Sequence, residues 1–64
     1  MCLVVVYVKE REESGPGERV FADAAHIECG EGKVVVTGLF GESRNLEGEV
    51  RSIDLVNNQV IVER

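Results

Sequence analysis

The sequence predicts an all-β fold. Two features carry the prediction: β-branched residues recur with period two in several short runs, and glycine- or asparagine-containing clusters separate those runs. A third observation is negative. No segment holds the apolar spacing of an amphipathic helix for the roughly ten residues that a helix needs.

Taken in chain order, Leu3 to Val8 is an unbroken apolar run rich in valine and reads as a strand with both faces partly covered. Glu10 to Glu18 is charged and contains Ser14-Gly15-Pro16-Gly17, a turn-rich loop. A strand resumes at Arg19 to Ala22, with Val20 and Phe21 on opposite faces. The alanines of Ala22 to His26 would allow a short helix, but Ala25, Ile27 and Cys29 alternate with Ala24, His26 and Glu28, and Gly30-Glu31-Gly32 follows at once. That pattern favours a strand entering a hairpin, answered by Lys33 to Thr37 with Val34 and Val36 on one face.

Gly38-Leu39-Phe40-Gly41 is apolar between glycines, as at a sharp bend, and Phe40 is expected to plug the core. Glu42 to Leu46 forms a further exposed strand, and Gly48 marks the next bend. Val50 to Leu55 then pairs with Gln59 to Glu63 across Val56-Asn57-Asn58, where asparagine tolerates positive φ. The result is six to seven short antiparallel strands in one domain spanning residues 1–64. So many short strands favour a small closed barrel, SH3-like or OB-like, because closure removes open edges.

At 64 residues the chain lies near the lower limit for a self-sufficient core. Association that hides further apolar surface is therefore expected. Twelve acidic residues against seven basic ones give a formal charge of −5. That balance repels a phosphate backbone, and no basic stripe with interleaved aromatics occurs, so nucleic-acid binding is disfavoured. The amino-terminal apolar run is too short to span a bilayer and lacks the features of an export signal. A cytoplasmic location is expected, with Cys2 and Cys29 as thiols.

Cys2 is the residue with the most distinctive chemistry. With Met1 removed, its amine and thiolate close a five-membered chelate ring on a soft metal ion; with Met1 retained, the Met1 amine, the Cys2 amide nitrogen and the thiolate line up instead. Nickel(II) and copper(II) accept such donors in planar geometry, whereas structural zinc wants four in a tetrahedron. One chain end supplies too few, so a second chain is required. The bland alternative for Cys2 is a small buried hydrophobe.

Other residues carry weaker signals. On a strand His26 and Cys29 face opposite ways; Cys29 reads as a packing residue and His26 as a surface residue or a loose second metal ligand. Asp54 and Glu42 are placed to cap backbone amides or to support the amino-terminal segment by hydrogen bonds. Tyr7 reads as a partly buried aromatic with its hydroxyl in water. No nucleophile has a matched base and orienting group, and no glycine-rich loop has the strand-to-helix setting of a phosphate cradle. The chain is not expected to be an enzyme.

The opening Met-Cys, Val5-Val6-Tyr7-Val8, Ile27 and Gly32 around a hairpin, Val34-Val35-Val36-Thr37-Gly38-Leu39-Phe40-Gly41-Glu42, and Val50-Arg51-Ser52-Ile53-Asp54-Leu55 followed by Ile61 together resemble the CooT family. The resemblance covers nearly the whole chain. It implies a small all-β homodimer binding one nickel(II) ion per dimer through Cys2, and a metallochaperone that delivers nickel to carbon monoxide dehydrogenase or another nickel enzyme. Such proteins have also been described as RNA-binding, which the acidic balance does not favour. A structural or protein-interaction domain, acting through the apolar Leu39 and Phe40, is the further alternative.

Overall fold

The computed structural model describes residues 3–15 and 17–64. Six strands form one sheet: β1 Val4–Lys9, β2 Glu18–Gly30, β3 Lys33–Gly38, β4 Ser43–Glu47, β5 Glu49–Asp54 and β6 Gln59–Glu63. No helix occurs among the described residues. The sheet order is β4-β3-β2-β1-β6-β5.

Valine alternation builds the core. Val6 and Val8 of β1, Val34 and Val36 of β3, and Val60 and Val62 of β6 each sit two residues apart and therefore share a face. Together with Ala24 and Leu46 they are the buried apolar side chains among the described residues, where no polar side chain is buried with them. Val5, Tyr7, Val35 and Ile61 on the opposite face are half-buried, in keeping with a first strand covered on both sides.

Three features of the pairing depart from expectation. First, β1 and β6 run parallel, Val5 opposite Gln59 through Lys9 opposite Glu63, so the sheet is not purely antiparallel. Short links force antiparallel neighbours, but β1 and β6 are separated by most of the chain and are free of that constraint. Second, the segments expected as two strands are one 13-residue strand, β2. It bends at Asp23, where φ is +57°, and a register shift follows between Ala24 and His26. The first half of β2 pairs with β1 and the second half with β3.

Third, the ladder does not close into a barrel. The edge strands β4 and β5 follow one another in the chain but do not pair. Gly48 alone joins them, at φ +128°, and a β-carbon there would stand 2.5 Å from the Glu63 carbonyl oxygen. Its N–H donates to the Gly32 carbonyl at 2.9 Å, pinning this corner to the β2–β3 hairpin. Arg44 on β4 donates to the Val20 carbonyl at 2.7 Å, which draws that edge back towards the first half of β2. Charged residues on both edges, among them Arg44, Glu47, Glu49 and Arg51, discourage pairing with foreign strands.

Candidate functional site

Met1 and Cys2, the expected metal ligands, lie outside the described residues. What the structure places is the pole of the sheet at which β1 begins. Val4 pairs with Ala24 of β2, and Ala24 pairs in turn with Gly38 at the end of β3. On the other side the Val5 N–H donates to the Asn58 carbonyl at 2.9 Å, and Val5 pairs with Gln59, the partner of Asp54. The β3–β4 and β5–β6 turns therefore flank the start of the first strand.

Both turns are held by a carboxylate. In the first, the Gly38 N–H donates to the Glu42 carbonyl at 2.7 Å and the Gly41 N–H to the Gly38 carbonyl at 3.1 Å. The Glu42 side chain folds back to accept the Phe40 N–H at 3.1 Å. A β-carbon on Gly38 would come within 2.6 Å of that carboxyl group, so a larger residue there would push the Glu42 side chain from this position. Phe40, expected in the core, is instead 90% exposed, because the turn carries it past the end of the sheet.

In the second turn Asp54 Oδ1 accepts the N–H groups of Val56 and Asn57, both at 3.0 Å, while Oδ2 accepts Asn57 Nδ2 at 2.8 Å. The side-chain bond from Asn57, reinforced by the backbone bonds, holds the Asp54 carboxyl below its ordinary range. Asn58 takes positive φ, +55°. Leu55 and Val56 stand out into solvent. The capping role foreseen for Glu42 and Asp54 is thus realised.

His26 and Cys29 do not come together as a site. Both are exposed, and the unbroken register from His26 opposite Thr37 to Cys29 opposite Val34 sets them on opposite faces. The packing role expected for Cys29 fails because β1 reaches only the first half of β2, leaving Ala25 to Gly30 without a neighbour on that side among the described residues. His26 Nε2 lies 3.3 Å from Glu28 Oε1. No group of three or more metal-binding side chains is assembled among the described residues.

A cavity of about 300 Å³ lies at the other pole, lined by Arg11, Arg51, Arg64, Glu49 and Glu63 around the Gly48 corner. Sequence reasoning missed it, since its arginines are far apart in the chain. Glu63 stands 3.9 Å from Arg11 and 3.6 Å from Arg51, and Arg64 bonds Glu10 at 2.6 Å. Glu63 thus serves two guanidinium groups and Glu10 the third, and with Glu49 in the lining three carboxylates offset three guanidinium groups, which leaves little net field for an anion.

The described residues form one small helix-free sheet with exposed apolar side chains at one pole. The chain belongs to the CooT family: the family model described as CO dehydrogenase accessory protein CooT matches residues 1–63. Membership implies an accessory role beside CO dehydrogenase. An uncharacterized protein of Methanocaldococcus jannaschii is 36% identical over 47 residues, which make up 73% of this chain and 82% of that protein. No helix among the described residues is long and apolar enough to cross a membrane.

Proposed function

We propose that this chain is a cytoplasmic nickel(II) chaperone that works as a homodimer, holding one ion between two copies and passing it to CO dehydrogenase or another nickel enzyme. The observation that carries this reading is the family match, which extends over Cys2 and includes an accessory role to an enzyme. Coordination chemistry supports it. Two Cys2 thiolates with the nitrogens beside them, from Met1 or from Cys2 itself, make a planar donor set suited to nickel(II), and that set needs two chains.

Transfer proceeds by ligand exchange. An acceptor thiolate binds the ion as a Cys2 thiolate leaves, so the metal keeps its oxidation state and its coordination number throughout. The holding site must therefore be partly open.

Native mass spectrometry of the tag-free protein titrated with nickel tests the reading. One ion per two chains is expected, and Cys2→Ala loses that ion while the dimer mass remains. Stoichiometric nickel uptake by Cys2→Ala refutes the site. Parallel titrations with copper, cobalt and zinc measure selectivity.

A further inference from the structure

β2 changes neighbours at its bend, and its second half keeps one open edge. The first half pairs with β1 from Glu18 to Ala24 and the second with β3 from Ala24 to Gly30, so no strand among the described residues pairs with Ile27 to Gly30 on the side away from β3. In an antiparallel ladder alternate residues bond to opposite neighbours, and this stretch therefore turns N–H and C=O groups outward. The outer strands β4 and β5 mix charges, Arg44 with Glu47 and Glu49 with Arg51. Residues 20–32, by contrast, hold Asp23, Glu28 and Glu31 and no lysine or arginine.

The two faces of this edge differ in chemistry. Val34 and Val36 of β3 are buried, yet the residues directly opposite them, Cys29 and Ile27, are exposed and half-buried. Opposed residues share a face, so the core face of the sheet runs out uncovered here. The other face carries the exposed Glu28, with His26 Nε2 3.3 Å from its carboxylate, and Glu31 follows in the turn.

We propose that this edge accepts an extended segment of a different protein as an added strand, one that alternates apolar and basic residues. Period-two alternation sets the apolar residues of the incoming strand beside Ile27 and Cys29, where they continue the core face, and its lysines or arginines on the face of Glu28. Backbone hydrogen bonds supply the pairing and the side chains select the sequence. An acidic segment meets like charge across the ladder, which is destabilising. This chain has no such segment to offer a second copy: its only basic residues two apart, Lys9 and Arg11, are separated by a glutamate. The proposal stands independently of nickel binding.

Amide hydrogen exchange, followed by NMR on the metal-free full chain, tests the edge. The probe is the synthetic peptide acetyl-Lys-Val-Lys-Val-Lys-Val-Lys-amide at millimolar concentration and low salt. Exchange of alternate amides from Ile27 to Gly30 is expected to slow roughly tenfold or more, with the amides of β4 and β5 unchanged. The same peptide with glutamate in place of lysine is expected to give no protection. Glu28→Lys is expected to weaken binding of the lysine peptide about fivefold, and Glu28→Gln acts in the same direction should charge reversal disturb the hairpin. Unchanged exchange at this edge, equal protection by both peptides, or undiminished binding by the folded Glu28 variants overturns the proposal. Edge amides that exchange more slowly as the concentration of the free protein rises overturn it too, because a second copy then occupies the edge.

Discussion

Asp54 shows how one side chain can hold the backbone of a whole turn. Its carboxylate serves three donors in one turn, and the ionised form is the one they favour. Because the folded-state pKa lies below the ordinary value near 3.8, the resulting stability is present above that value and is lost as pH falls through the folded pKa. Asp54→Ala is therefore expected to lower the melting temperature near neutral pH, and the gap from wild type should narrow in acid. Thermal melts across the acid range check this; a gap constant with pH would mean that ionisation of Asp54 contributes nothing. The aspartate was legible in the sequence as an amide cap because it precedes an asparagine turn. The outward swing of Phe40 was not, since an aromatic residue between glycines fits a buried plug as well as an exposed anchor.

Among the elements, β2 is the most informative. Its halves serve different neighbours, and Asp23 supplies the bend between them in the left-handed region that aspartate tolerates better than branched residues do. Asp23→Val should destabilise the fold by about 1–2 kcal/mol. Asp23→Gly should stay within about 1 kcal/mol of wild type, since glycine takes positive φ freely. Chemical denaturation separates the two, and equal losses would show that the bend is indifferent to backbone preference. A strand at Arg19 to Ala22 and a second running into the hairpin were expected here; a kinked strand and a break leave the same local trace. The valine pairs, by contrast, were readable because period-two spacing dictates a shared face. Val36, fully buried at the centre of β3, should lose about 2–3 kcal/mol on replacement by alanine, with the urea midpoint falling at constant slope.

At the scale of the molecule, strand type and most boundaries were legible because they depend on local spacing and turn chemistry. The parallel contact between β1 and β6 and the open ladder were not, since pairing across most of the chain leaves no mark on nearby residues. Met1 and Cys2 were read only from the donors they carry, and they lie outside the described residues. Small size also makes stability and assembly one problem. If the chain works as two associated copies, the melting temperature should rise with protein concentration, as it does for any fold linked to association. A melting temperature independent of dilution would separate the two.

The pairing of β1 with β6 has a consequence for synthesis. β1 is synthesised well before its parallel neighbour, Gln59 to Glu63. A nascent chain must therefore leave one side of Val6 and Val8 uncovered until Gln59 to Glu63 have been made, and a chain cut after Asn58 should show no cooperative unfolding transition.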